Sequence, residues 1–106
     1  MLAPIILIDG GDVQMFQTKE QAENWLEPWA IEDGCVGFDA TARPLNFFLS
    51  SGAIRITCCD EAPQNQQVVS ESLRQYLVAV GVGEHLVRDS DLRTLVAMAS
   101  QYAMIK

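Results

Sequence analysis

The sequence predicts an α+β fold, with one antiparallel meander sheet and helices packed on one of its faces, in the order β-α-β-β-β-α-α. Three observations lead to this fold. An apolar run occupies residues 4–8, apolar and polar residues alternate between residues 35 and 58, and three other segments repeat apolar residues at helical spacing. A meander sheet with helices on one face is the simplest way to bury these apolar stripes together.

The first 17 residues predict strand structure. Residues 4–8 have the length of a short buried strand, which ends at the sequence Asp9-Gly10-Gly11-Asp12. Glycine supplies positive φ angles and aspartate bonds its own backbone in tight turns. These four residues therefore predict a turn rather than a catalytic or magnesium-binding pair of carboxylates, and residues 13–17 could continue the strand after it.

A second strand region runs from residue 35 to residue 58. Apolar residues alternate on both sides of the segment 39–44, which predicts a β-hairpin over residues 35–49 with that segment as its turn. Ser50-Ser51-Gly52 makes the next turn. The alternation then resumes in a third meander strand, whose apolar positions are Ile54, Ile56 and Cys58.

Three segments predict helices. Thr18 begins the first as the start of a capping box, and Pro28 ends or bends this helix. Two glycines end the second helix, and Asp89 or Ser90 caps the third. Their apolar faces comprise, in turn, Ala22, Trp25, Leu26 and Trp29; Val69, Leu73, Tyr76, Leu77 and Val80; and Leu92, Leu95, Val96, Ala99, Tyr102 and Ile105.

The length of 106 residues and a composition of 49% apolar and 20% charged residues predict one globular domain over residues 1–106. No apolar run approaches the roughly 20 residues that cross a bilayer. The first residues lack the basic start and the long apolar stretch of a signal peptide. Three cysteines, two of them adjacent, are typical of reduced thiols. We therefore expect a cytoplasmic protein that does not bind a membrane.

The net charge of −7 is unevenly distributed along the chain. Residues 1–40 contain eight acidic residues and one basic residue, whereas residues 41–106 contain six of each. This charge argues against direct binding to DNA, RNA or an anionic membrane, and a basic protein surface is its natural complement. Solubility alone would explain the acidity equally well.

Residue types used in catalysis or metal binding are few. Cys35, Cys58, Cys59 and the single His85 show no CxxC or HxxxH spacing, which predicts neither a metal site nor a cofactor. A nucleophilic Cys–His pair would need one of these cysteines to meet His85 in space. The sequence therefore favours a protein that is not an enzyme.

The first helix predicts an acidic face. At 100° per residue, Glu20, Glu23 and Glu27 fall within about 60° of each other and away from the apolar face. Neighbouring like charges cost a helix about 0.2–0.5 kcal/mol per pair, and a solvated face selected only for stability would mix in basic residues. The acidic face is therefore a candidate partner-binding surface. We expect Trp25 in the core, whereas Trp29, beyond the proline, could equally be a contact residue.

Two segments of the chain resemble a known family. They are the acidic helix over residues 18–29, followed by Glu32-Asp33-Gly34, and the hairpin turn over residues 38–45. Over roughly residues 3–60, this pattern resembles the small immunity proteins of bacterial polymorphic toxin systems, the antidotes encoded beside contact-dependent or Rhs-type toxins. Ala42 departs from the family's turn, where Gly is expected, and alanine costs ~1 kcal/mol there if its backbone is left-handed.

The resemblance implies an antitoxin that binds a cognate toxin domain and blocks its active site or substrate path. Toxins that act on nucleic acid or nucleotides tend to carry basic clefts, which an acidic surface would occupy. The candidate contact residues are then Glu20, Glu23, Glu27, Glu32, Asp33, Asp9, Asp12 and Trp29.

Two other classes of function remain open. A non-catalytic adaptor or regulatory subunit of a constitutive complex would expose a larger and more apolar patch. A small enzyme using Asp9, Asp12 or Cys59 would hold these residues in a pocket that shifts their pKa values.

Overall fold

A computed structural model describes residues 1–58 and 61–105 of the chain and shows an α+β fold, as predicted. More elements are present than the seven expected, because residues 12–16 form a strand of their own, the first helix is broken in two, and a short helix precedes the last one. In chain order, the elements are β1 (Ile5–Asp9), β2 (Asp12–Phe16), α1 (Lys19–Trp25), α2 (Pro28–Glu32), β3 (Val36–Phe38), β4 (Leu45–Ser50), β5 (Ala53–Cys58), α3 (Gln66–Ala79), α4 (Glu84–Val87) and α5 (Leu92–Ala103).

The strands form two antiparallel sheets rather than a single meander. One sheet has the order β2-β1-β3, and β4 and β5 form a separate hairpin. The predicted pairing across the turn 39–44 is therefore wrong, since β3 pairs with β1 and only Phe38 bridges Pro44. Pro44 has no N–H to extend a ladder. Gly37 of β3 leaves room for the ring of Phe47 of β4. A Cβ atom added at position 37 would lie only 2.6 Å from Cζ of that ring.

Strand β1 is buried on both faces, so the prediction of helices on one face is wrong. Ile6 and Ile8 pack with α3 and α5 in one apolar cluster, which also contains Val13 and Met15 of β2. Ile5 and Leu7 point to the opposite face, where a second cluster joins them to residues of α1, α2 and the β4–β5 hairpin. A strand with an apolar residue at every position needs cover on both sides.

The helix ends follow the local sequence closely. Thr18 caps α1, as predicted, because its Oγ1 accepts the N–H of Gln21 at 3.1 Å. The glycine stop after α3 is confirmed at Gly81, which has a φ of +102°. The cap of α5 is neither Asp89 nor Ser90 but Asp91, whose Oδ1 accepts the N–H of Thr94 at 2.8 Å.

The turn after β3 is organised by the buried Asp39. Its Oδ1 accepts the N–H of Thr41 at 2.9 Å, the hydroxyl of Thr41 at 2.7 Å and the N–H of Arg43 at 3.0 Å. Its Oδ2 accepts the N–H of Leu2 at 3.3 Å and so ties the N-terminus to the turn. Burial alone would raise the pKa of Asp39, but the hydrogen bonds from Thr41, Arg43 and Leu2 outweigh burial and lower it.

Ala42, within this turn, adopts the left-handed conformation with a φ of +68° and is fully buried in the cluster that contains Ile6. The left-handed backbone costs an alanine ~1 kcal/mol relative to glycine. Burial of one methyl group returns about 0.8 kcal/mol. The backbone cost and the gain from methyl burial nearly cancel. An alanine is therefore tolerated at position 42, where the resemblance predicts a glycine.

Replacing Asp39 with Asn should lower the free energy of unfolding by about 1–3 kcal/mol at neutral pH, because the amide carries no charge and its NH₂ cannot accept the N–H of Leu2. The folded-state pKa of Asp39 is lowered. Its stabilising effect is therefore complete above the unfolded-state pKa and is lost as the pH falls through the folded-state pKa. Chemical denaturation of both proteins, from neutral pH down through the range where carboxyl groups titrate, measures this.

The matched control is Asp33→Asn, since Asp33 is exposed and its carboxylate accepts no hydrogen bond within the described part of the chain. It should change the stability little at any pH. A deficit in Asp39→Asn that persists unchanged in acid would contradict a role for the Asp39 charge.

Candidate functional site

Glu23 is buried, and it does not belong to an open acidic face. Its side chain is 7% exposed, and its Oε1 lies 3.7 Å from Nη1 of Arg55. Its Oε2 accepts the N–H of Ile56 in β5 at 2.8 Å. The predicted acidic face of Glu20, Glu23 and Glu27 is therefore wrong, because the middle carboxylate points into the protein.

The hairpin geometry explains why Ile56 needs this carboxylate. A two-residue loop joins Ser50 to Ala53, which makes them a hydrogen-bonded pair of the ladder. Hydrogen-bonded and non-hydrogen-bonded pairs alternate along an antiparallel ladder. Ile56 is three positions after Ala53, so it lies in a non-hydrogen-bonded pair and its N–H points away from β4. Glu23 supplies the acceptor that this outer edge of β5 lacks.

Four of the predicted contact residues meet in one cleft, hereafter the indole cleft. Its volume is about 410 Å³. Two elements build it, namely the turn between β1 and β2 and the break between α1 and α2. Its walls consist of Asp9, Asp12, Gln14, Trp25, Glu27, Trp29, Ala30 and Cys35. The remaining predicted residues Glu20, Glu32 and Asp33 are exposed and lie outside its walls.

The β1–β2 turn places two carboxylates side by side. Asp9 and Asp12 are register partners at the end of the ladder, joined by Gly10 and Gly11, and Gly10 has a φ of +60°. Both aspartates are exposed. Like charges that face each other across two strands destabilise a sheet. The turn predicted here is confirmed, and it concentrates negative charge at one end of the cleft.

The helix break places two indoles on the cleft. Leu26 and Glu27 have extended backbones, with ψ angles of 135° and 147°, and Pro28 then begins α2 at its first turn. Trp25 ends α1 with its ring 5.6 Å from that of Phe16. Trp25 is 42% exposed and Trp29 is 60% exposed. The expectation that Trp25 lies in the core is therefore wrong, because the break holds it at the rim while Leu26 is buried beneath.

Among the described residues, no basic side chain lines the indole cleft, although three carboxylates do. Within residues 1–58 and 61–105, Asp9, Asp12 and Glu27 take part in no salt bridge or side-chain hydrogen bond. The negative charges of Asp9 and Asp12 raise the pKa values of neighbouring groups. Burial raises the pKa of the Cys35 thiol, and the negative charge of Asp9 raises it further. Burial and then the charge of Asp12 likewise raise the pKa of Tyr76.

A second, larger cleft of about 650 Å³ lies between the N-terminus, the Asp39 turn and the start of α5. Its walls carry one acidic and one basic residue, Asp91 and Arg93, so its charge is balanced. The carboxylate of Asp91 already accepts the N–H of Thr94 as the cap of α5. This cleft therefore offers less to a charged partner than the indole cleft does.

Among the described residues, the cysteines and the histidine that a nucleophilic enzyme would use are not brought together. Cys35 is buried and Cys58 half-buried in the cluster beneath α1 and α2, whereas His85 is exposed on α4, which packs against α3 on the other side of the sheet. A raised pKa keeps the Cys35 thiol protonated, which disfavours a nucleophile. Cys59 lies outside the described residues. In the described part of the chain, no three His, Cys, Asp or Glu residues are grouped to hold a metal ion.

Comparisons with protein-family models, with curated proteins and with solved structures found no match to this chain. None of the helices formed by residues 1–58 and 61–105 is both long and apolar enough to cross a membrane.

Replacing Glu23 with Gln should lower the free energy of unfolding by about 1–3 kcal/mol, because the buried N–H of Ile56 loses a charged acceptor and Arg55 loses its partner. Glu20→Gln is the control, since Glu20 lies on the same helix but is exposed. Thermal or chemical denaturation of the two variants measures the difference. Equal stabilities for both would contradict a structural role for Glu23.

Proposed function

We propose that this chain is a non-catalytic antitoxin, an immunity protein that acts in the bacterial cytoplasm by binding a cognate toxin domain and occluding its active site or substrate path. The feature that supports this function most directly is the indole cleft. It combines two exposed tryptophans with three carboxylates that pair with no described basic residue.

These features reduce the stability of the isolated chain. The opposed pair Asp9 and Asp12 repels, and no described basic residue relieves the repulsion. Trp29 leaves 60% of its surface in water, although burial of a large aromatic side chain is a strong stabilising term. Both costs disappear when a basic surface covers the cleft, and tryptophan is among the residues most enriched at the energetic centre of protein interfaces.

The charge distribution fits a basic partner. Every described residue that lines the indole cleft belongs to the first 40 residues, which hold the entire net charge of −7. An acidic surface of this kind accelerates association with a basic protein and repels nucleic acid. A toxin that cleaves or modifies nucleic acid binds its polyanionic substrate in a basic cleft, and a protein surface bearing carboxylates competes for that cleft.

The partner to test is the toxin domain encoded by the neighbouring gene. The cleft variant carries Asp9→Asn, Asp12→Asn and Glu27→Gln together. Its affinity for the toxin domain should fall at least about tenfold, and its association rate should fall and depend less on salt. Since these carboxylates accept no hydrogen bond within the described residues, the melting temperature should stay level or rise.

The matched control carries Glu20→Gln, Glu32→Gln and Asp33→Asn, which removes the same charge outside the cleft. It should slow association modestly and leave the dissociation rate unchanged. Growth of cells that co-express the toxin domain should be rescued by the parent and by the control but not by the cleft variant. A neighbouring gene that encodes no toxin, or a parent protein that fails to rescue growth, would overturn the proposed function.

A second candidate, the constitutive adaptor, is favoured by a different surface. Phe48 and Leu49 on β4 are 47% and 61% exposed, and they lie on the opposite strand of the hairpin from the edge that Glu23 covers. Partner binding that is lost in Leu49→Ser but kept in the cleft variant would favour the adaptor function over the antitoxin function.

A further inference from the structure

The indole cleft has the chemistry of a cation-binding site. Two tryptophans that are 42% and 60% exposed share one concavity with Asp9, Asp12 and Glu27. The face of an indole ring attracts cations through its quadrupole, and carboxylates attract them by charge and by hydrogen bonds. We propose that this cleft receives a guanidinium group, the arginine side chain of a basic partner. The inference rests on the proposed function only in assigning that arginine to the bound toxin domain.

The composition of the walls selects a cation over a neutral or apolar group. An apolar side chain in this cleft would strip water from carboxylates that have no other described partner, and an uncompensated buried charge is costly. A cation offsets that desolvation because it pairs with the same carboxylates. The volume of about 410 Å³ is near the lower end of the range for ligand sites, which suits a side chain rather than a large molecule.

The arrangement of the acids favours arginine over lysine. Asp9 and Asp12 are a directly opposed pair at the end of a ladder, and Glu27 approaches from the break between α1 and α2. Guanidinium offers five donors in a planar fork that pairs with carboxylates bidentately and also stacks on aromatic rings. An ammonium group is a compact point charge that keeps its water more strongly and cannot stack.

The backbone holds the two indoles in place before any partner binds. Leu26 and Ala30 are buried next to Trp25 and Trp29 in sequence, so α1 and α2 are each anchored to the core beside an exposed ring. The N–H of Ala30 bonds to the carbonyl of Glu27 at 3.0 Å and fixes the start of α2. A preorganised site loses less conformational freedom on binding, which strengthens weak cation–π contacts.

The cleft can be tested without knowing the partner, because its two tryptophans are the only ones in the chain. Their two indole N–H resonances report on the indole cleft, and the resonance of Trp25 also reports on a smaller cavity of about 300 Å³ beside Phe16 and Ile105. The probe is N-acetyl-arginine amide, titrated into the full-length protein at low salt. Its uncharged isostere N-acetyl-citrulline amide and N-acetyl-lysine amide are the controls. Arginine should shift both resonances saturably and bind about tenfold more tightly than citrulline, with lysine between them.

Two single variants divide the site into its parts. Asp12→Asn should weaken arginine binding severalfold while leaving citrulline unchanged, because it removes charge from the cleft. Trp29→Leu removes the more exposed ring and should also weaken arginine binding, with Trp25 remaining as the reporter. Glu20→Gln, outside the cleft, should bind arginine as the parent does. Denaturation curves of all three check that each variant is folded.

The possible results separate this inference from the proposed function. Equal shifts with arginine and citrulline, equal affinity for lysine and arginine, or an Asp12→Asn variant that binds as the parent would each overturn the guanidinium site. Rescue of growth against the toxin domain would then still support an antitoxin that uses another surface. Selective arginine binding without rescue would support the cation site and contradict the antitoxin function.

Discussion

The structure depends on the burial of both faces of β1. Ile5, Ile6, Leu7 and Ile8 are between 0% and 6% exposed, and they alternate between two apolar clusters on opposite sides of the sheet. Helices α3 and α5 must therefore cover one face, and α1, α2 and the β4–β5 hairpin must cover the other. This second layer is what brings the break between α1 and α2 over the β1–β2 turn, where the indole cleft forms.

The strands and helices that local sequence controls were predictable, and the arrangement of layers was predictable only in part. The capping box at Thr18 and the glycine stop at Gly81 act within a few residues, so their positions follow from the sequence. The run over residues 5–8 also signals burial on both faces, because a strand that faces water on one side alternates instead. The pairing of β3 with β1 is different, since it joins residues far apart in the chain, such as Ile6 and Phe38.

The candidate site was likewise predictable where local sequence decides and unpredictable where distant residues meet. Acidic residues on a helix can be placed on a common face by their spacing, but spacing does not reveal which neighbour lacks a hydrogen-bond acceptor. Glu23 is buried because its carboxylate accepts the N–H of Ile56 at the edge of β5. Ile56 lies 33 residues further along the chain. Sequence reasoning also missed Trp25, Gln14 and Cys35 as walls of the cleft. Two tryptophans four residues apart with a proline between them were the available signal, since the proline interrupts the helix and leaves the rings at its rim.

The indole cleft is built from a hairpin loop and a helix break, and its charged and aromatic side chains lie outside the buried clusters, whereas its wall residues Ala30 and Cys35 belong to the core. The side chains of Asp9, Asp12, Glu27 and Trp29 are exposed, and the described residues make no hydrogen bond to them. Substitutions at these positions therefore change the surface of the cleft at little cost to folding. Under the proposed function, such substitutions would change the partner of the chain while the β1 core stays the same. New specificity would then arise by exchanging a few loop residues, as in antibody variable domains, without redesign of the framework.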